Sequence, residues 1–122
     1  MTIEDKEKLR LLKEWQHRLR LDDWDISLMY DCSPNDMVLK DVAGESEYVE
    51  SDKIAVIRII TKKDYGKRVV DFDFERILVH ELLHCKFSLI YESENAIQNR
   101  IVHQYIDDMA KALVDAKRSK NG

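Results

Sequence analysis

The chain carries one H-E-x-x-H segment, His80-Glu81-Leu82-Leu83-His84, inside an apolar run with Ile77-Leu78-Val79 before it and Phe87 after it. A run of that length and apolarity predicts a buried helix. On a helix, residues i and i+4 stack on one face, so His80 and His84 converge on one point. Two imidazoles meeting there can grip one zinc ion at about 2.0–2.1 Å each. Glu81, about 100° further round the helix, can then reach a metal-bound water without ligating the metal. The competing explanation is a pair of satisfied core histidines on an amphipathic helix, and a motif of this kind depends on its context.

With 122 residues, the chain is expected to form one domain, residues 1–122. Its apolar fraction of 44% suffices for a core. A net charge of −4 argues against a non-specific nucleic-acid binder, which is usually basic. The small basic tail Lys117-Arg118-Ser119-Lys120 suits solvation or the dipole of a last helix. Charges run throughout residues 1–20, and neither a signal peptide nor a membrane span is expected. Cys32 and Cys85 read as free thiols in a reducing compartment, so the expected location is cytoplasmic. Cys85, next to His84 on the helix, faces away from His80 and is not expected to bind the metal.

Elsewhere the pattern is α+β. Residues 3–20 predict a first helix, with Leu9, Leu12, Trp15, Gln16 and Leu19 at helical spacing. His17 in that helix reads as exposed or half-buried rather than a ligand. Residues 24–30 alternate through Ile26, Leu28 and Tyr30 as a half-buried strand. A loop around Pro34 follows. Residues 42–49 predict a polar, glycine-containing edge strand, and residues 53–61 a β-branched central strand. Residues 62–70 read as a charged loop turning at Gly66. Asp71 or Asp73 can cap the helix bearing His80, which is expected to reach about Ile90. After a break at residues 92–95, a last helix is expected from about Asn95 to Lys117, with Ile97, Ile101, Ile106, Met109 and Leu113 as its apolar stripe.

A catalytic zinc usually has three protein ligands and one open position. Glu92, Glu94 and His103 are the downstream candidates for the third. The two glutamates sit in or beside the turn and could arch back only if the motif helix stopped early. At roughly 1.5 Å of rise per residue, His103 comes level with His84 if the last two helices pack as a hairpin. Asp107, one turn after His103, can accept the free N–H of a ligating histidine and fix its tautomer. The competing reading is that His103 and Asp107 form an exposed i,i+4 pair. His103 is preferred, with Glu94 its main rival.

An H-E-L-L-H segment followed 19 residues later by a ligand-type residue, with Asp107 four beyond it, resembles the gluzincin branch of the zincin metallopeptidases. More of the chain is similar to small bacterial and phage metallopeptidases of the minigluzincin or SprT-like sort. The similar stretches are Trp15, Leu19, Leu21, Asp23, Trp24 and Ile26 near the start, and residues 104–113 near the end. In that branch the third ligand is normally Glu, where this chain has His103. The motif is not of the extended metzincin kind, because Phe87 and Ile90 stand where Gly and His are required.

The resemblance implies a zincin-like fold: an opening helix, a short mixed sheet of about three strands, the motif helix and a ligand helix. It also implies a zinc-dependent peptidase acting on peptide or protein substrates. His80, His84 and His103 would hold Zn²⁺, with Glu81 as general base. Tyr65, Tyr91 and His17 are candidates to stabilise the oxyanion. A peptide could add to the edge strand within residues 42–49. The alternative is a non-catalytic binding module in which the metal only ties the helices together. A structural site is usually closed by four ligands, and three are evident, which favours the enzyme.

Overall fold

A computed structural model describes residues 1–88 and 96–119. Its architecture is α+β. Helix α1 (Ile3–Arg18) is followed by strands β1 (Asp25–Cys32), β2 (Gly44–Val49) and β3 (Ile54–Ile60). A one-turn helix α2 (Lys62–Tyr65), helix α3 (Phe74–Lys86) and helix α4 (Ala96–Ser119) complete the order. No described helix is long and apolar enough to cross a membrane.

Local chemistry sets the boundaries. Thr2 and Asp5 form a reciprocal capping box at the start of α1. Asp73, rather than Asp71, caps α3 by accepting the backbone N–H of Arg76 at 3.2 Å. Helix α3 ends at Lys86, short of the expected Ile90, which with the expected break at residues 92–95 lies outside the described residues. Residues 62–70 are not all loop. Thr61 caps a helical turn by accepting the N–H of Asp64 at 3.1 Å, and Gly66 ends it at φ 65°, where a side chain would be strained.

The sheet order is β1-β3-β2, with β1 parallel and β2 antiparallel to the central β3. The expected central and edge strands are therefore those observed. Alternation on β3 buries Ala55, Ile57 and Ile59 on one face, while Val56 and Arg58 on the other are half-buried. The buried face meets α3 and the inner sides of α1 and α4. Leu12, Trp15, Ile57, Ile59, Leu78, Leu82, Ile106 and Val114 belong to this one core cluster.

Helices α3 and α4 form an antiparallel hairpin, fixed by pairs that run in opposite directions along the two chains. Asp107 meets His80 and Asp115 meets Arg76. Arg118 meets Asp73 at 2.6 Å, and Lys117 meets Glu75 at 2.5 Å. Glu75 also accepts the Trp15 indole N–H at 2.7 Å, which ties α1 to the same end.

The face of α4 turned to the core differs from the expected stripe. Ile106, Ala110 and Val114 are fully buried, with Val102 packed beside them. Ile97, Ile101, Met109 and Leu113 are instead exposed, Ile97 by 68%. Small side chains at 110 and 114 let the α4 backbone approach α3, and bulkier ones in that row would hold it off.

Candidate metal centre

The hairpin brings three of the four histidines together. His80, His84 and His103 each offer a ring nitrogen, all within 4.8 Å of one another. Nε2 of His80 and Nε2 of His84 are 3.2 Å apart. Two nitrogens held tetrahedrally by one zinc are roughly 3.3 Å apart, from Zn–N bonds of about 2.0–2.1 Å. The ring of His103 sits at the lip, 4.9 Å from that of His80 and 5.4 Å from that of His84, centroid to centroid. This donor set can hold a metal ion. His17, by contrast, is exposed on α1 and pairs with Asp22 at 3.2 Å. Cys85 is buried beside the site and takes no part in the cluster.

The protonation states suit a cation. Burial, reinforced by the neighbouring rings, pushes His84 down to about 4 and lowers His80 as well. Both are neutral at pH 7, as ligands must be. Asp107 Oδ1 lies 3.3 Å from Nδ1 of His80. With the ring proton on Nδ1 it would face that carboxylate, leaving the Nε2 lone pair towards the other histidines. Burial opposes ionisation of Asp107, but Lys111 at 2.9 Å holds its carboxyl below the usual range. The sequence offered Asp107 as an orienter for a ligating histidine. The structure gives it His80, across the hairpin, rather than His103 on its own helix.

Glu81 faces β2. It is only 6% exposed, and burial pushes its carboxyl up to about 7, while a hydrogen bond with the Ser46 side chain works in the other direction. Gly44, on the same face of β2 as Ser46, lets the strand come this close. A Cβ there would sit 2.7 Å from Cγ2 of Ile77 and 3.3 Å from Oε2 of Glu81. Neither Gly44 nor Ser46 stood out in the sequence. The signal was present in strand alternation, which puts residues 44, 46 and 48 on one face once residues 42–49 are read as a strand.

A cleft of about 590 Å³ opens over these groups, bounded by β2, the start of α3, and His103, Asp107 and Lys111 of α4. Of the three candidates for the oxyanion, Tyr65 lines the cleft but donates its hydroxyl to the carbonyl of Val70 at 2.5 Å. His17 is not among the residues lining the cleft, and Tyr91 lies outside the described residues. Tyr48 lines the cleft from β2.

No family model, curated protein or solved structure matches the chain.

Proposed function

We propose that the chain is a zinc-dependent peptidase with a zincin-like fold, of the small gluzincin sort that its motifs resemble. One observation carries the proposal: a buried carboxyl, Glu81, stands at a cleft wall one residue from His80 in a cluster of three imidazoles. His80, His84 and His103 are the residues that would hold Zn²⁺, which when bound polarises a carbonyl and acidifies water.

The other steps belong to the chain's own side chains. Glu81 accepts a proton from the attacking water, whose hydroxyl joins the scissile acyl carbon. As the C–N bond breaks, Glu81 returns the proton to the leaving amine. Ser46 orients the Glu81 carboxyl, and Asp107 holds His80 in one tautomer. Strand β2 has β3 as its hydrogen-bonded neighbour on one side. Its other edge offers backbone groups that an extended peptide can pair with beside the histidines. The fourth coordination position that a closed structural site would fill has no described His, Cys, Asp or Glu in the cluster, which favours chemistry over a purely structural ion.

The test compares zinc content and peptide-bond cleavage for the native chain and for Glu81→Gln. The proposal expects zinc retained in both and cleavage in the native chain alone. Cleavage that survives in Glu81→Gln rejects the assigned base. Zinc bound with no cleavage by the native chain on a broad peptide mixture leaves the metal-stabilised binding module.

A further inference from the structure

Two cations share the cleft with the histidine cluster. Arg76 is one helical turn before His80 on α3, and Lys111 is one turn after Asp107 on α4. Both line the cleft, and the His80–Asp107 and Arg76–Asp115 pairs bracket Lys111, which lies one helical turn from each aspartate on α4. The antiparallel hairpin therefore sets two positive side chains side by side at one end of the site.

Their existing partners are weakly committed. Arg76 donates from Nη2 to Asp115 at 3.2 Å, and Asp115 has 66% of its side chain exposed. Lys111 pairs with Asp107 at 2.9 Å, both more than a third exposed. Exposed pairs of this kind contribute little and exchange partners readily. Nε of Arg76 is buried, so the two terminal nitrogens are the ones a ligand can reach. Asp73, three residues earlier, is occupied by Arg118 and by the α3 cap. With four N–H groups on its terminal nitrogens and one described bond, the Arg76 guanidinium is suited to a planar, bidentate acceptor.

We propose that Arg76 and Lys111 form a subsite for a carboxylate, and that its natural occupant is the free C-terminus of a peptide. The inference deepens the peptidase reading and rests on it for its catalytic consequence. One helical turn is about 5.4 Å, and an extended chain advances about 3.3–3.6 Å per residue. A carboxylate held by these two cations therefore places a bond one or two residues from the C-terminus at the histidine cluster. The activity is then that of an exopeptidase releasing one residue or a dipeptide, rather than cleavage within long chains. An aspartate or glutamate side chain offers the same chemistry, and the experiment separates the two sources.

Binding of N-acetylated tripeptides to the zinc-loaded Glu81→Gln protein is measured by calorimetry. The set holds one peptide as the free acid, the same peptide as its amide, and an amide ending in aspartate. The expected result is that the free acid binds roughly tenfold or more tightly than its amide, as charge-assisted bonds imply. Arg76→Gln should erase most of that preference and Lys111→Gln part of it, with amide binding unchanged. Circular dichroism confirms that each variant folds, and Arg76→Lys, which keeps the charge without the fork, should retain an intermediate preference. Equal binding of acid and amide, no saturable binding of the acid, or a preference that survives both substitutions overturns the subsite. Equal binding of the aspartate amide and the free acid overturns the C-terminal assignment. Cleavage of the same peptides by the native chain is scored separately: a carboxylate preference without cleavage rejects the peptidase, while internal cleavage of amidated peptides without a preference rejects the subsite alone.

Discussion

Asp107 reaches from α4 to His80 on α3, with Oδ1 3.3 Å from Nδ1, so one carboxylate joins the helix hairpin and stands where it can accept the Nδ1 proton of a histidine in the cluster. Removing such an orienting partner typically weakens metal binding by about 10–100-fold. Asp107→Ala should therefore weaken zinc by that factor in a competition titration with a chromophoric chelator. Affinity unchanged in Asp107→Ala would show the contact to be incidental.

The carboxyl of Glu81 is buried and raised to about 7 from 4.5. The folded, metal-free chain thus holds its proton where the unfolded chain has released it. The stability this group contributes is fully present below pH 4.5 and is lost as pH rises through about 7. Gln is a neutral stand-in for the protonated acid. Glu81→Gln should stabilise the metal-free protein at pH 8, by on the order of 2 kcal/mol, and leave it nearly unchanged at pH 4.5. Denaturant midpoints at the two pH values check this, and an equal effect at both would contradict it.

His84 behaves in the opposite sense. Its ring is depressed to about 4 from 6.5, so between those values the unfolded chain binds the extra proton. Its contribution is present above pH 6.5 and is lost as pH falls towards 4. Because Glu81 varies in the other direction over part of that range, the Glu81→Gln background removes the opposing contribution, and His80, lowered in the same sense, adds to that of His84. In that background the metal-free protein should lose stability steadily from pH 6.5 to 4, and adding His84→Asn should make the slope shallower, with His80 supplying the remainder.

Gly44 is needed for close approach. A Cβ would lie 2.7 Å from Cγ2 of Ile77, a stiff β-branched side chain on α3, and 3.3 Å from Oε2 of Glu81. Gly44→Ala should cost about 1–3 kcal/mol of stability, the usual penalty for overpacking. In the proposed enzyme it should also reduce turnover by displacing Glu81, while zinc affinity stays close to native. Thermal melts and zinc titration of the variant measure the two effects separately.

Much of this arrangement was legible in the chain. Period-two alternation located the first strand, and the β-branched run at residues 53–61 marked the central one. The spacing from His84 to His103 allowed for a turn and a return along a hairpin, and that return is present. What the sequence could not settle was the choice between two faces of α4. Rows 102-106-110-114 and 97-101-105-109-113 are both largely apolar and both have helical spacing, so periodicity alone does not rank them. Packing chose the row with the smaller side chains, leaving Ile97 and Tyr105 outside. The partner of Asp107 was hidden for a related reason. Neighbours along one helix can be read from spacing, whereas a contact across a hairpin depends on the register of two helices. The Thr61 cap was readable from Thr61 and Asp64, but the charge of residues 62–70 concealed it.

The central claim is that three imidazoles hold one metal ion, and zinc titration of four proteins tests it most directly. The native chain should bind one equivalent, His84→Ala and His103→Ala should each bind far more weakly, and Glu94→Ala should remain close to native. A native chain that binds no stoichiometric zinc, or a His103→Ala protein that binds it as tightly as the native chain, would contradict the account.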